Sequence, residues 1–225
     1  MKRIFFFLFL LGTVVARSQS LYYVSFHDGL DVGTLSYITD QKIIIKISPD
    51  GKILEWGNDM EPGRWYTQPG RLQKYMGRVD YYERQFDSIL NGKVRSIGTT
   101  QITYYGSTEN AAFVGKIKTI GQLWFEYYSD FENEALRGKI KTAGSKTLTY
   151  FSSFENESYK GKMKAIGGTN ITYYSSFEDK SVRGKLKSVG PYNYSWYTSF
   201  ETRYNGGLKS GNLYQVIEGV TYILW

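Results

Sequence analysis

A step of 23 residues recurs through the C-terminal two thirds of the chain and limits its possible folds more than any other feature. Glycine recurs at this step in one column, whose members are Gly92, Gly115, Gly138, Gly161, Gly184 and Gly207. Neighbouring aromatic residues recur at the same step, as in Tyr173 and Tyr174. Fixed periods of this size are typical of repeat proteins, in which each unit buries its apolar face against its neighbours.

Each unit contains two segments with strand character. In residues 161–178, "NITYYSSFE" is rich in β-branched and aromatic residues, and "KMKAI" predicts a second, shorter strand. The short "GGTN" connection favours antiparallel pairing of neighbouring strands. We therefore expect an all-β protein whose tandem 23-residue two-stranded repeats form an elongated, twisted antiparallel β-sheet. A β-solenoid is the alternative.

Strand alternation assigns the repeated columns to faces of this sheet. It places Ile171, Tyr173 and Phe177 on one apolar face together with Met163, and it places Tyr174 and Glu178 on the opposite, mixed face. Two lysine columns, represented by Lys162 and Lys164, are assigned to the face of Glu178. Ile166 has the parity of these lysines, which indicates a β-bulge or a strand end before Gly167.

The remainder of the chain divides around the repeats. Residues 1–18, "MKRIFFFLFLLGTVVARS", predict a signal peptide, because a basic start precedes about 12 apolar residues and a small-residue cleavage site. Residues 19–76 are expected to form an N-terminal β-hairpin cap region, with "SPDG" as a turn inside "KIIIKISPDGKILEWG". The tandem repeats follow over 77–207, and residues 208–225 are expected to be a degenerate C-terminal repeat or cap.

Composition excludes several kinds of site. The chain has no cysteine, so thiol and iron–sulfur chemistry are excluded and no disulfide can hold the fold. The formal net charge of +7 falls to +4 without Lys2, Arg3 and Arg17 (7 − 3). This mild charge favours no particular partner. Outside the signal peptide, no apolar stretch is long enough to predict a transmembrane helix.

No motif for catalysis is evident. His27 is the only histidine, and zinc would have to rest mostly on carboxylates, which suit it poorly. A glycosidase needs two carboxyl groups in different environments, whereas a repeated glutamate column gives every member similar surroundings. We therefore predict that the chain is not an enzyme and that it uses no cofactor and no metal.

The repeat does provide candidate binding residues. The outer aromatic column is expected to be exposed, and the second lysine column lies beside it, so these residues could contact a ligand by stacking and by charge. Packing of the aromatic rings across neighbouring strands is the structural alternative. The candidate binding residues are Tyr105, Tyr128, Phe151, Tyr174, Tyr197, Lys118, Lys141, Lys164 and Lys187.

The 23-residue step is similar to that of MORN repeats, which are also hairpin units in an elongated sheet. Choline-binding and other cell-wall-binding repeats are likewise aromatic-rich hairpin arrays. The glycine and aromatic pattern of the former and the tryptophan-containing signature of the latter are absent from this chain. The resemblance is therefore one of period, and it implies no binding residues here.

These features predict an exported, non-catalytic β-repeat protein that serves as a binding or scaffolding surface for a cell-envelope glycan or a protein partner. The expected location is periplasmic, outer-membrane-associated or extracellular, and no nucleic acid partner is expected. An outer-membrane-associated or barrel-like envelope protein is one alternative, prompted by the C-terminal "GVTYILW". A hydrolase with a site in 20–76 is the other.

Overall fold

A computed structural model describes residues 19–60, 70–84, 87–201 and 204–225. The predicted signal peptide lies outside the described residues. Within these four ranges the regular structure is entirely β, as the sequence predicts. The strands, in chain order, are β1 (Ser20–His27), β2 (Asp31–Ile38), β3 (Ile43–Ile47), β4 (Ile53–Asp59), β5 (Leu72–Lys74), β6 (Val79–Tyr81), β7 (Val94–Ile97), β8 (Thr100–Tyr104), β9 (Ile117–Ile120), β10 (Leu123–Tyr127), β11 (Ile140–Ala143), β12 (Lys146–Tyr150), β13 (Met163–Ile166), β14 (Thr169–Tyr173), β15 (Leu186–Val189), β16 (Tyr192–Asn193), β17 (Ser195–Trp196), β18 (Leu208–Ser210), β19 (Tyr214–Ile217) and β20 (Val220–Leu224).

The repeats form one long antiparallel sheet. Strands β6 to β16 pair in strict chain order in an 11-stranded sheet, and β17 pairs with β18 at its C-terminal end. Two-residue turns join the strands of each hairpin, as in Gly144-Ser145, where Ala143 pairs with Lys146. Gly144 has φ +58°, which fits the first central position of a type II′ turn and explains why glycine recurs there.

A second sheet contains both ends of the described chain. Its seven strands follow the order β19-β20-β1-β2-β3-β4-β5, and β20 pairs in parallel with β1. The hairpin of "SPDG" is confirmed as β3 and β4, with the Gly51 amide donating to the Ser48 carbonyl at 2.9 Å. Residues 208–210 pair within the array, whereas β19 and β20 belong to this second sheet.

The two sheets share one hydrophobic core. Ile45 and Tyr37 of the seven-stranded sheet are buried in the same cluster as Ile140, Phe125 and Ile171 of the array. The Tyr37 and Phe125 rings meet edge to face, with centroids 5.2 Å apart. The N-terminal segment therefore covers a face of the array, rather than its first edge as a cap would. Burial against a second layer explains why one face of each repeat can be so apolar.

A β-bulge recurs in the first strand of each repeat. Opposite β12, Thr149 pairs with Ala165 and Tyr150 pairs with Met163, so Lys164 is the additional residue. The bulge shifts the alternation by one, and for this reason Met163 and Ile166 are both buried although they are three residues apart. The anomalous parity of Ile166 has its cause here. The residues at the bulge position are Arg95, Lys118, Lys141, Lys164, Lys187 and Lys209.

The last repeat is one residue shorter than the others. The amide of Gly184 donates to the carbonyl of Tyr174, and the equivalent donor to Tyr197 is Gly206. Gly206, with φ +73°, thus takes the place that the 23-residue step assigns to Gly207, and the expected column is wrong by one residue at this end.

Across the described ranges, no helix is long and apolar enough to cross a membrane.

Candidate binding surface

In three of the repeats, a glutamate side chain closes the long turn, namely Glu132, Glu155 and Glu201. The Oε2 atom of Glu132 accepts a hydrogen bond from the Ser129 amide at 2.6 Å, and that of Glu155 accepts one from the Ser152 amide at 2.5 Å. The Glu132 amide in turn donates to the Ser129 carbonyl at 3.2 Å. Such a reciprocal arrangement over three residues fixes a tight turn. The strand therefore ends before the turn, and the residue preceding the glutamate lies at its tip.

Phenylalanine occupies this tip in four successive repeats. The exposed fractions are 95% for Phe131, 92% for Phe154, 93% for Phe177 and 87% for Phe200. The assignment of Phe177 to the buried face is therefore wrong, because β14 ends at Tyr173 and strand alternation does not extend to Phe177. We call Phe131, Phe154, Phe177 and Phe200 the phenylalanine row.

Hydrogen bonds between neighbouring turns keep the row in order. The Oδ1 atom of Asn133 accepts from the Ser153 amide at 3.0 Å, and its Nδ2 donates to the Ser153 hydroxyl at 2.8 Å. Asn156 bonds Ser176 in the same way, at 3.0 and 2.9 Å. Each repeat adds two strands, so the row advances by about 9.5 Å per repeat. It therefore forms a regular apolar ridge along one edge of the array.

The bulge lysines form ion pairs at the base of this ridge. Lys141 Nζ lies 3.0 Å from Glu132 Oε1, and Lys164 Nζ lies 2.9 Å from Glu155 Oε1. Burial by itself would raise the pKa of both carboxyl groups, but hydrogen bonds from the lysine and from the serine amide stabilise the charged form more strongly. The net result is that the pKa of Glu132 and of Glu155 is lowered. The hydrogen bond to Glu132 raises the pKa of Lys141.

The same ammonium groups lie over the outer aromatic column. Lys141 Nζ is 5.3 Å from the centroid of the Tyr128 ring, and Lys187 Nζ is 5.5 Å from that of Tyr174. Lys118 pairs with Glu109 at 3.4 Å and contacts the rings of both Tyr105 and Trp124. The four lysines proposed as ligand contacts are thus engaged by groups of the chain itself.

The outer aromatic column is less accessible than the sequence suggests. Tyr105 and Tyr128 are only 8% and 9% exposed, and Phe151, Tyr174 and Tyr197 are partly buried. The expected exposure is therefore wrong for the first two. Three hydroxyl groups are also occupied, because they donate to the carbonyl oxygen 20 residues ahead. These bonds are Tyr105 to Phe125 at 2.7 Å, Tyr128 to Leu148 at 3.1 Å and Tyr174 to Tyr194 at 2.9 Å.

The first lysine column points toward the second sheet, so its assignment to the face of Glu178 is wrong. Lys116 Nζ donates to the carbonyl oxygens of Gly138 at 2.7 Å and Asp50 at 2.9 Å. Lys185 Nζ donates to the Asp28 carbonyl at 3.1 Å. Burial lowers the pKa of Lys116. These lysines join the turns of the second sheet to the array.

His27 and Asp31 are cross-strand partners at the ends of β1 and β2, but they lie in different environments. His27 is exposed at the end of β1, whereas Asp31 is half-buried and accepts hydrogen bonds from the Met163 amide and the Tyr173 hydroxyl, both at 3.2 Å. Burial raises the pKa of Asp31. Within the described part of the chain, no three His, Asp or Glu side chains are grouped so that they could hold a metal ion.

A crevice of about 1060 Å³ lies near the two-residue turns of the array. Gln19, Asp40 and Leu123 line it, together with the ion pair between Lys146 and Glu218 at 3.2 Å. The two charges of this pair neutralise each other, so neither is left free to bind a charged ligand in the crevice.

The row is the feature that sequence reasoning missed. The available signal was the spacing of three residues between Ser129 and Glu132, repeated between Ser152 and Glu155, because Ser-x-x-Glu is typical of a turn closed by its own side chains. A turn at this place removes the phenylalanine from the strand.

Comparisons with protein-family models, with curated proteins and with solved structures gave no match for this chain.

Proposed function

We propose that this chain is an exported, non-catalytic binding or scaffolding protein whose contact surface is the phenylalanine row. The observation that supports the proposal is the near-complete exposure of four equivalent phenylalanine rings at one repeated position. Single exposed apolar residues are common, but a regular line of them is a feature of interaction surfaces. The row replaces the outer aromatic column and the bulge lysines as the proposed contact residues.

The fold supports this role because the rings stand on a fixed support. The turns of Phe131, Phe154 and Phe200 are closed by their glutamates, and neighbouring turns are bonded to each other, as in Asn133 and Ser153. A partner can therefore be bound at several repeats without ordering the loops first, which reduces the entropy cost of association. Contacts at successive repeats also add, because they belong to one rigid array.

Ring chemistry favours a protein partner over a cell-envelope glycan. Phenylalanine offers area but no hydrogen-bonding group, and two of the lysines beneath the row, Lys141 and Lys164, are already paired with glutamates. A glycan presents many hydroxyl groups that need polar partners when they are buried. An apolar protein surface needs none, so the row suits it better.

The test compares the purified chain from residue 19 onward with a variant in which the four row residues are replaced by serine. Binding to envelope glycans, lipopolysaccharide and whole-cell surfaces, and self-association, are measured at low and high salt. We expect association that resists salt and is lost in the variant, because apolar contacts are not screened. Binding that salt abolishes, or that the variant retains, would contradict the assignment.

Met76→Ser is the matched control, since Met76 is 85% exposed but lies outside the row. It removes a similar apolar side chain without changing the ridge. Circular dichroism and urea unfolding should give the same result for all three proteins, because none of the replaced side chains is buried. A binding loss shared by Met76→Ser would indicate a general effect of surface hydrophobicity.

A further inference from the structure

We propose that the occupant of the phenylalanine row is a second copy of this chain, docked antiparallel so that the two rows interleave. This inference rests on the proposed binding role of the row. It identifies the partner as the chain itself and the contact as a closed, two-fold interface.

Equal spacing makes the row complementary to itself. Successive rings stand about 9.5 Å apart, so a ring from a second copy placed midway would lie about 4.8 Å from each neighbour. Aromatic pairs are favourable at centroid separations of roughly 4.5–7 Å. The gap between two rings of the row therefore fits one further ring. A two-fold axis repeats this fit at every repeat, because a two-fold interface uses the same patch on both copies.

The area available agrees with a stable dimer. A buried phenylalanine side chain removes about 150–250 Å² from water, so eight interleaved rings would bury about 1,200–2,000 Å². Specific protein interfaces bury about 1,200–2,000 Å² in total. All four rings of each copy are nearly fully exposed, so almost none of this area is used inside the monomer. The row can thus supply most of an interface without any rearrangement.

Charges on the turns favour the antiparallel orientation. The turn of Phe131 is acidic overall, since it carries three acidic residues and one basic residue, whereas the turn of Phe177 carries two of each. These residues are Asp130, Glu132, Glu134 and Arg137 in the first turn, and Glu178, Asp179, Lys180 and Arg183 in the second. In an antiparallel dimer the acidic turn of one copy lies away from the acidic turn of the other. A parallel dimer would bring each acidic turn against its own equivalent, which is unfavourable.

Sedimentation equilibrium of the purified chain from residue 19 onward tests the proposal, with wild type, Phe154→Ser/Phe177→Ser and the control Met76→Ser. We expect a dimer for wild type and for the control, and an increase in the dissociation constant of roughly tenfold or more for the double variant. Unchanged urea unfolding would show that all three proteins are folded. A monomeric wild type, or a dimer that resists the double replacement, would overturn the proposal.

A spin label tests the orientation, since the chain has no cysteine of its own. Thr108→Cys places the label in an exposed turn that lacks phenylalanine, so the row is left intact. An antiparallel dimer puts the two labels about 40–50 Å apart, whereas a parallel one puts them within about 10 Å. The short distance would overturn the antiparallel arrangement.

The same variants separate this inference from the proposed function. A monomer that binds envelope glycan or phosphatidylglycerol vesicles through the row would overturn the second-copy proposal and leave the binding role of the row in place. A monomer whose interactions do not depend on the row would overturn both.

Discussion

The hydroxyl of Tyr128 donates a hydrogen bond to the carbonyl oxygen of Leu148, 20 residues further along the chain, at 3.1 Å. The bond connects one repeat to the next, and Tyr105 and Tyr174 make equivalent bonds. Phe151 holds the intervening position in the column and has no hydroxyl group. The ladder of hydroxyl-to-carbonyl bonds is therefore interrupted at the middle of the array.

We expect Phe151→Tyr to stabilise the protein by about 0.5–1.5 kcal/mol, the net value of one such hydrogen bond. The new hydroxyl would reach the carbonyl oxygen of Ile171, which is the equivalent acceptor. Urea unfolding measures the change, and Tyr128→Phe is the matched variant, with a similar effect of opposite sign. If Tyr128→Phe destabilised the protein and Phe151→Tyr did not stabilise it, a hydroxyl at position 151 would not complete the ladder, and the prediction would be wrong.

Stability should fall in acid because the turn glutamates lose their bonds. The folded-state pKa of Glu132 and of Glu155 is lowered, so their contribution is present above the unfolded pKa, about 4.3. It is lost as the pH falls through the lower folded pKa. Urea midpoints measured between pH 6 and pH 3 should therefore fall less steeply in Glu132→Gln/Glu155→Gln than in wild type.

Glu157→Gln provides the control for the acid experiment. The Glu157 carboxylate lies on the same side of the array but makes only an exposed pair with Lys160, at 3.8 Å. Exposed pairs of this kind contribute little to stability. If Glu157→Gln flattened the pH profile as much as the turn variants, general surface charge would account for the effect.

Much of the fold could be predicted because it is local. The two strands and two turns of a repeat lie within 23 residues, so period, β-propensity and glycine placement sufficed for the long sheet. The face assignments depended on unbroken alternation, and both failures have local causes. The bulge at Lys164 shifts the parity, and the turn in which the Glu178 amide bonds to the Ser175 carbonyl takes Phe177 out of the strand.

The packing of the two sheets could not be predicted in this way. Ile45 and Ile140 are far apart in sequence, and the parallel pairing of β1 with β20 joins opposite ends of the chain. Such contacts leave no periodic signal in the sequence. The phenylalanine row was hidden for a different reason, since its residues have the composition expected of a core and only the Ser-x-x-Glu spacing indicates otherwise.

Gly51 should tolerate no side chain, because two effects coincide there. It has φ +79°, and a Cβ atom would overlap the Tyr127 side chain of the array. Gly219 has a similar φ of +77° but open space around it. We expect Gly219→Ala to cost about 1–2 kcal/mol from backbone strain, and Gly51→Ala to cost about 1–3 kcal/mol more from overpacking. Equal costs in urea unfolding would show that the two sheets separate readily at this turn.

Asp31 should be more important as a hydrogen-bond acceptor than as a charge. It accepts from the amides of Val32 at 2.7 Å and Met163 at 3.2 Å, and from the Tyr173 hydroxyl. Asp31→Ala leaves these buried donors without the acceptor and should cost about 1–3 kcal/mol, whereas Asp31→Asn keeps an oxygen and should cost less.

The pH dependence at Asp31 has the opposite sign from that of the turn glutamates. Burial raises its folded-state pKa, so its contribution is complete below the unfolded pKa and is lost as the pH rises through the folded value. The asparagine of Asp31→Asn does not ionise, so the variant avoids this loss of stability. The free energy of unfolding of the variant, relative to that of wild type, should therefore increase from pH 4 to pH 7. A difference that stays constant with pH would contradict the raised pKa.

Two buried tyrosines between the sheets should respond to loss of the hydroxyl in opposite ways. The Tyr127 hydroxyl donates to the Ile117 carbonyl at 2.7 Å, whereas the buried Tyr37 hydroxyl has no hydrogen-bond partner among the described residues. Tyr127→Phe should cost about 1 kcal/mol, and Tyr37→Phe should stabilise the protein by up to about 2 kcal/mol, because an unpaired hydroxyl is costly to bury. Both are measured by urea unfolding. Destabilisation by Tyr37→Phe would mean that the Tyr37 hydroxyl makes a hydrogen bond in solution. The buried Tyr150 hydroxyl also has no partner among the described residues, so it is the first candidate for that bond. The double variant Tyr37→Phe/Tyr150→Phe tests this pair.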